Sequence, residues 1–305
     1  TRRKAWTGMN KTDEAFLLEG DIFAPLIAGL SSVNSAIRSA TVQHAFRSMD
    51  RAAATGTTYG ASIVQSLCDI VVTHMFVESD FPRKYGWSEI TVGRQIFEQL
   101  GRRLGRASDE SPERFEAQAV PSTHVFHAPL DKTPSFEVEV SLRLYALKTD
   151  SVNVSDCCFS GANFGECSWQ YARLTNCDLS YCSFIGAQLG DTVISGDLSH
   201  SRFREAVINF ADISADITNA FFGNADLQGS RCVFKNASDA IFRGCNLKGA
   251  NLEGSDDAIN LSEAVVDHET VFPDGSLLER KRYSDYETIS TKWGEVQFVA
   301  DRYCS

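Results

Sequence analysis

The fold of this chain is decided by the stretch CCFSGANFGECSWQYARLTNCDLSYCSFIGAQLGDTVI, residues 157–194. A large apolar residue returns at every fifth position of this stretch, at Phe159, Phe164, Trp169, Leu174, Leu179, Phe184, Leu189 and Ile194. A period of five fits neither an α-helix, which repeats every 3.6 residues, nor a flat strand, which repeats every two. The pattern therefore predicts a repeat architecture.

A small residue stands two positions before each large one, at Cys157, Ala162, Cys167, Ala172, Cys177, Cys182, Ala187 and Thr192. We expect both residues to point inward and the other three of each unit to face water, because a bulkier side chain at the small position would overfill a narrow interior. The period shortens to four at Leu198 and at Ile217, and the pattern continues to Val266.

The repeat resembles the unit of the pentapeptide-repeat family, Ala-Asp/Asn-Leu-x-x, most closely at Ala162-Asn163-Phe164, Ala211-Asp212-Ile213, Ala225-Asp226-Leu227 and Ala250-Asn251-Leu252. The resemblance implies a right-handed, four-sided β-helix in which each unit forms one side and four units form a coil. At the strand spacing of roughly 4.8 Å per coil, about five coils would make a rod on the order of 25 Å long. The expected fold class is α+β, an N-terminal α-helical domain followed by this β-helix.

The N-terminal part has the periodicity of amphipathic helices, with a stripe of apolar residues at Ile22, Leu26, Leu30, Val33 and Ile37. We predict helices within residues 12–49, 61–77 and 88–104, a loop over residues 52–60 and a strand over residues 136–144. The expected domains are a helical domain (1–120), a strand and linker that cap the rod (121–150), the β-helix (151–275) and a C-terminal cap or docking tail (276–305).

Two short motifs extend the resemblance. The run from Ile96 to Arg103 resembles the helix ending in Leu-Gly-Arg-Arg that precedes the repeats in membrane-anchored bacterial members. Cations facing the dipole of a generic helix C-terminus are the alternative explanation for Arg102 and Arg103. The run from Thr270 to Gly275 resembles the Thr-x-Phe-Pro-Asp-Gly ending of the family's last coil.

Composition limits the partners and the compartment. The net charge of −11 argues against a nucleic-acid binder, so we expect another protein as the partner. Of nine cysteines, Cys158 and Cys304 lack a packing role, and the remainder act as compact apolar residues. Reduced, buried thiols favour the cytoplasm. The basic run Thr1–Lys4 is of the sort that flanks a membrane helix, so a membrane tether upstream of Thr1 is a hypothesis, with a basic chain end as the alternative.

The sequence offers no convincing catalytic chemistry. His124 and His127 could bind a metal on a helix, but their region is extended, where the two side chains would point to opposite faces. The glycine-rich run from Gly56 to Gly60 lacks the Lys-Ser/Thr and the preceding strand of a phosphate loop. We therefore predict no catalytic, cofactor-binding or metal-binding residue, no cofactor and no enzymatic activity.

Two outward columns are candidate interaction surfaces. Asp178, Asp197 and Asp216 are spaced by 19 residues, one coil each, and should stack on one side, with Asp239 and Asp256 near the same column. Stacked carboxylates repel each other unless they are solvated or hydrogen-bonded, so they form either a binding surface or turns in which they accept backbone amides. Phe221 and Ile241 should face outward one coil apart, beneath either another segment of the chain or a partner.

These features favour a non-enzymatic module that presents a rigid, acidic β-helical rod to another protein. Its placement at the cytoplasmic membrane face is a hypothesis. The alternative is DNA mimicry, because the resembling quinolone-resistance proteins are acidic β-helical rods that occupy the DNA site of DNA gyrase. From Ser155 to Asp267 there are 7 basic and 15 acidic residues, a net charge of −8. An enzyme with its site in the N-terminal domain or at the junction of that domain with the rod is a further alternative, as is a secreted effector.

Overall fold

A computed structural model describes residues 22–79, 90–106, 122–127, 137–279 and 286–300. These residues fall into two compact units, one formed by those up to 106 together with 123–142 and the other by residues 143–300. The predicted features at Thr1–Lys4 and Cys304 lie outside the described residues.

The described part of the first unit contains the helices α1 (Phe23–Leu30), α2 (Ser35–Ala54), α3 (Thr58–Ser79) and α4 (Ile90–Gly101). Helix α3 contains the predicted helix over residues 61–77, and its apolar face is buried, at Val64, Leu67, Cys68, Val71 and Met75. Among the described helices, none combines the length and the hydrophobicity needed to cross a membrane.

The apolar stripe predicted from Ile22 to Ile37 does not lie on one continuous helix, because the helix breaks between α1 and α2. The chain leaves the helix at Ser31, and α2 begins after Asn34, whose Oδ1 accepts a hydrogen bond of 2.9 Å from the backbone N–H of Ala36. Val33 therefore lies in the connection and is 97% exposed. The predicted loop over residues 52–60 is also too long, because α2 continues to Ala54.

Three strands complete the first unit, β1 (Leu104–Arg106), β2 (Ser122–His127) and β3 (Glu137–Leu142), in the order β1-β2-β3. Leu104, which the sequence placed at the end of a helix, pairs with Phe126 across β1 and β2. The Gln65 side chain of α3 donates to the carbonyl of Ser141 at 2.9 Å and accepts from its N–H at 2.8 Å. This amide satisfies backbone groups of β3 as a neighbouring strand would. The predicted role of residues 121–150 as a cap of the rod stays a prediction.

Arg103 connects α2 to the end of α4. Its guanidinium donates to both carboxylate oxygens of Asp50, at 2.8 and 2.9 Å, and lies 5.1 Å from the centre of the Phe46 ring. A planar, bidentate pair of this kind is specific to arginine. The explanation from the helix dipole is therefore incomplete for Arg103. Arg102, the first residue after α4, stays on the surface, where it pairs with Glu98.

The second unit is a four-sided parallel β-helix, which confirms the predicted fold class. One side is a parallel sheet of β4 (Asn153–Ser155), β5 (Arg173–Asp178), β6 (Val193–Asp197), β7 (Asp212–Asp216) and β8 (Arg231–Asn236). Parallel bridges between successive coils connect the other sides, as from Ser168 to Gln188 and from Asn163 to Ser183. The ladder begins before Cys157, with a bridge from Lys148 to Ser168, and continues past Val266 to Val271.

The interior follows the predicted alternation of large and small residues. Leu179, Phe184 and Leu189 have no exposed surface. Five aromatic rings stack along the axis with centroid separations between 4.7 and 5.5 Å, in the order Phe164, Phe184, Phe203, Phe222 and Phe242. These rings fill the core to the density of a protein interior, while the small residues leave room for them.

The shortened steps of the repeat are four-residue sides of the coil. The step from Ile194 to Leu198 spans β6, whose pairing with the longer side of β5 shifts register between Leu174 and Cys177. Gly196 allows the shorter side of β6 to pair with the longer side of β5. It has φ +127°, and a Cβ at this position would lie 2.1 Å from the carbonyl oxygen of Cys177. Only glycine allows so close an approach between coils.

The last described coil carries the predicted ending motif. Asp267 is buried, and its Oδ1 accepts hydrogen bonds from the N–H and the hydroxyl of Thr270, both at 2.9 Å. A hairpin of β10 (Tyr286–Thr291) and β11 (Gly294–Val299) follows, and β11 pairs in parallel with β9 (Val265–Val266). Trp293 stacks on Phe272 at 5.1 Å between ring centroids. The hairpin thus provides the next layer on the solenoid.

Candidate interaction surfaces

The register brings the three predicted aspartates together. Asp178 pairs with Asp197 and Asp197 with Asp216 in adjacent coils. The next position of this column is occupied by Asn236, whereas Asp239 lies in a left-handed turn with φ +59°. We call the column of Asp178, Asp197 and Asp216 the aspartate face. Its use as an interaction surface stays a prediction.

Hydrogen bonds to the backbone hold each aspartate of this face. Oδ1 of Asp178, Asp197 and Asp216 accepts from the N–H two residues later, at 3.0, 2.8 and 2.8 Å respectively. The hydroxyl of Thr218 also donates to Asp216 at 2.6 Å. These contacts are Asx turns, in which the carboxylate replaces a backbone carbonyl. They support the structural interpretation that the sequence left open, because one oxygen of each carboxylate already has a role in the fold.

Phe221 and Ile241 also occupy the predicted positions, paired outward in adjacent coils. Ile241 is 48% exposed and Phe221 is partly exposed, whereas Asn163 and Ser183, which hold this column in earlier coils, are buried. The Phe221 ring lies over Gly223, where a Cβ would be only 2.3 Å from the ring atom Cζ. The absence of a side chain at Gly223 therefore leaves the space that this ring occupies.

Sequence reasoning missed the arginines beside this apolar pair. Arg202 precedes Phe221 in the same outward column, and Arg204 lies two residues further along the same side. A shallow depression is lined by Ile185, Arg202, Arg204 and Phe221. We call the set Ile185, Arg202, Arg204, Phe221, Ile241 and Arg243 the arginine face. The repeat pattern could have located these arginines, because the residues directly before and after a buried large residue point outward.

The described cysteines are free thiols, and most lie in the core. Burial raises the pKa of Cys68 to about 12 and the pKa values of Cys167, Cys182, Cys232 and Cys245 well above the ordinary value. Cys158 is half-buried, and its thiol donates to Asp178 at 3.5 Å. Burial and this carboxylate raise its pKa to about 11. Such thiols are protonated at neutral pH and react slowly.

The histidines and the glycine-rich run that were considered for metal or phosphate binding lie within or beside elements of the first unit. His124 is buried in β2, whereas His127 on the same strand is partly exposed, and burial lowers the pKa of His124 to about 4. In the run from Gly56 to Gly60, the Thr57 hydroxyl accepts from the N–H of Gly60 at 2.9 Å at the start of α3. No cluster of metal-binding side chains occurs among the described residues.

The geometry of five-residue sides, left-handed corners and an aromatic interior defines the class of four-sided β-solenoids. The family model for pentapeptide repeats matches residues 157–196 and 220–256, in eight copies. This part of the chain is therefore a pentapeptide-repeat domain. No curated protein matches the sequence.

Solved structures of low identity match part of the chain. A trypsin-treated form of QnrB1, a plasmid-mediated fluoroquinolone resistance protein, is 17% identical over 52% of this chain and 78% of its own, with a TM-score of 0.37. HetL, a pentapeptide repeat protein involved in heterocyst differentiation regulation from Nostoc sp. strain PCC 7120, is 16% identical over 44% of this chain and 92% of its own, with a TM-score of 0.18. Rfr23 from Cyanothece 51142 is 20% identical over 39% of this chain and 80% of its own, with a TM-score of 0.17.

Proposed function

We propose that the chain is a non-enzymatic protein-interaction module, in which the β-helix presents its outer sides to another protein. The observation that carries this proposal is the outward pair of Phe221 and Ile241, of which Ile241 is 48% exposed and Phe221 is partly exposed. Exposed apolar neighbours rimmed by polar residues are typical of interaction sites. A rigid solenoid also binds without the cost of ordering its own surface.

Site-specific photo-crosslinking tests the proposal. A photoreactive residue at Ile241 should capture one protein, which is identified, purified and titrated against the chain. The same residue at Gln228, exposed on another side of the coil, is the matched control. We expect Phe221→Ser to weaken binding of the purified partner by at least about tenfold, since buried aromatic anchors dominate interfaces. Equal capture from both positions, or unchanged affinity of the variant, would contradict the proposal.

The second candidate is a DNA mimic that binds a type II topoisomerase such as DNA gyrase. The aspartate face favours it, because stacked carboxylates on a rod of net charge −8 between Ser155 and Asp267 resemble a row of phosphates. The Asx turns argue against DNA mimicry, because one oxygen of each aspartate already accepts a backbone hydrogen bond. A supercoiling assay decides: DNA mimicry predicts inhibition by the chain at low salt that is relieved when Asp178, Asp197 and Asp216 are all changed to Asn. A chain that leaves supercoiling unaffected would remove this candidate.

We also propose a cytoplasmic location, with a membrane tether upstream of Thr1. The buried thiols of Cys167 and Cys182 support the compartment, because reducing conditions keep such residues free. The basic run Thr1–Lys4 supports the tether. Fractionation of cells that make the natural full-length protein tests both, and recovery outside the cytoplasm and its membrane would refute the location.

A further inference from the structure

We propose that Cys157 and Cys177 form an oxidation site, at which a peroxide joins two adjacent coils of the β-helix through a reversible disulfide. The inference goes beyond the interaction function and does not depend on it. Three features carry it: the register of the two residues, the contacts of their sulfur atoms and their remaining exposure to solvent.

The two cysteines are register neighbours in adjacent coils. The backbone N–H of Asp178 donates to the carbonyl of Cys157 at 2.9 Å, and Cys158 forms a parallel bridge with Asp178. Cys157 and Cys177 therefore occupy the same small inward position at the strand spacing of about 4.8 Å. This separation lies within the range of about 4.4–6.8 Å that a disulfide requires between Cα atoms. Among the described residues, no other two cysteines occupy one column in consecutive coils.

The contacts of the sulfur atoms bring the two thiols together. The thiol of Cys157 donates to the carbonyl of Ser155 at 3.4 Å. The thiol of Cys177 donates in the same way to the carbonyl of Thr175 at 3.5 Å, so the two side chains have the same orientation. The Cys157 thiol can donate instead to the Cys177 sulfur, as the backbone N–H of Cys157 also does, and these hydrogen bonds lower the pKa of Cys177 against the effect of burial.

The lowered pKa distinguishes Cys177 from the core thiols whose pKa values burial raises. A thiolate is the form of cysteine that reacts with peroxide. A second thiol that already contacts it supplies the partner that converts the oxidised sulfur into a disulfide. The pair therefore contains both a reactive and a resolving cysteine.

The pair also keeps a small opening to solvent. Cys157 and Cys177 are each 2% exposed, and they directly follow the turn residues Asp156 and Asn176, which are exposed at one corner of the coil. Four other cysteines of the β-helix core have no exposed surface, namely Cys167, Cys182, Cys232 and Cys245. Hydrogen peroxide is a small, uncharged oxidant, so it is the class of oxidant that such an opening admits.

The reaction balances with one molecule of hydrogen peroxide. The Cys177 thiolate attacks one peroxide oxygen, the O–O bond breaks, and the departing hydroxide takes up the proton that Cys177 had lost. The Cys157 sulfur then gives up its proton, attacks the sulfenic acid at Cys177 and displaces the second oxygen as water. Two thiols and one peroxide thus give one disulfide and two molecules of water. Transient disulfides of this kind are compatible with a reducing compartment.

A soft metal ion is the competing occupant of a thiol pair. Structural zinc takes four ligands, usually from cysteine and histidine. Within the ranges that the structure describes, no group of three or more side chains is arranged to hold a metal ion. Two thiols in direct contact are therefore better matched to a disulfide.

Peroxide treatment of the folded chain, followed by trypsin digestion and mass spectrometry without reduction, tests the inference. Cys157 and Cys177 lie in different tryptic peptides, 149–173 and 174–202. We expect these peptides to become linked with the loss of two hydrogen atoms, and dithiothreitol should reverse the link. Cys157→Ala and Cys177→Ala should each abolish it. Both variants should fold, since alanine fills the small position elsewhere in the repeat, as at Ala162.

The matched control is Cys158→Ala, which removes the outward thiol next to Cys157 from the same tryptic peptide and should leave the link intact. Cys182→Ala is the corresponding control in the other peptide. A link that survives Cys157→Ala or disappears with Cys158→Ala would overturn the inference. The absence of any link, or oxidation of Cys177 to a sulfinic acid instead, would do the same.

Two further outcomes would also overturn the inference. One is a link that forms only after the chain is unfolded in urea, because the register would then not be its cause. The other is zinc that purifies with the chain and protects both thiols from alkylation, which would identify a metal site. None of these results bears on the interaction function, which crosslinking at Ile241 tests separately.

Discussion

Phe203 stacks face to face on Phe222, with ring centroids 4.7 Å apart and ring planes 3° from parallel, although 19 residues separate them in the chain. The distance equals the spacing of neighbouring strands, so the backbone ladder determines how the rings stack. Each large inward residue therefore supports the coils above and below it.

Removal of one ring from this stack should destabilise the whole β-helix. We expect Phe203→Ala to lower the free energy of unfolding by about 3–5 kcal/mol, because the closed coil cannot collapse into the cavity. Phe210→Ala is the matched control, since Phe210 is 59% exposed and should change stability by much less. Chemical denaturation followed by circular dichroism measures both. Equal losses for the two variants would contradict the proposed core.

Gly196 should tolerate no side chain. Gly196→Ala places a Cβ against the carbonyl of Cys177 and adds backbone strain at φ +127°, for a loss of about 3 kcal/mol or more. Gly254→Ala separates the two effects, because Gly254 has φ +84° but no atom within 4 Å of an added Cβ. The control should lose only the conformational part, about 1–2 kcal/mol. A smaller loss at Gly196 than at Gly254 in denaturant titrations would argue against the close approach of the coils.

The pair of Arg103 and Asp50 should stabilise the first unit far more than the exposed pair of Arg102 and Glu98 does. Their side chains are 11% and 18% exposed, so Asp50→Asn leaves the Arg103 guanidinium partly buried without its carboxylate. We expect a loss of about 3 kcal/mol. Arg102→Ala removes the exposed pair with Glu98 and should cost no more than about 0.5 kcal/mol. Urea titrations followed by the circular dichroism of the helices compare the two variants. Similar midpoints for Asp50→Asn and Arg102→Ala would contradict the prediction.

His124 should make the first unit sensitive to acid. Burial lowers its pKa in the folded chain to about 4, from an ordinary value of 6.5. Between these values the unfolded chain binds more protons, so stability is complete above pH 6.5 and falls as the pH drops toward 4. The difference of pKa corresponds to at most about 3 kcal/mol.

Urea midpoints measured at several pH values test this dependence. His124→Leu should flatten the fall between pH 6.5 and 4, whereas His200→Gln, a change of a half-buried histidine in the β-helix, should leave it in place. An unchanged slope in the His124 variant would show that other groups cause the acid sensitivity.

The β-helix could be predicted from the sequence because its register is local. A period of five assigns every residue to the inside or outside, so the burial of Leu179 and the stacking of Asp178 on Asp197 followed from counting. The helical part was less predictable. Its apolar residues repeat as expected, but Val33 lies in a break that depends on the cap at Asn34.

The sequence by itself determined which side chains of the β-helix point inward and which point outward. Large and small residues alternate along the chain, and a closed coil forces each five-residue unit into the same positions. Only the tertiary structure decided which side chains meet from different coils or helices. The contact of Arg103 with Asp50 and the depression beside Arg204 depend on how separate segments pack. No local period encodes such contacts, since they arise from distances between residues far apart in the chain.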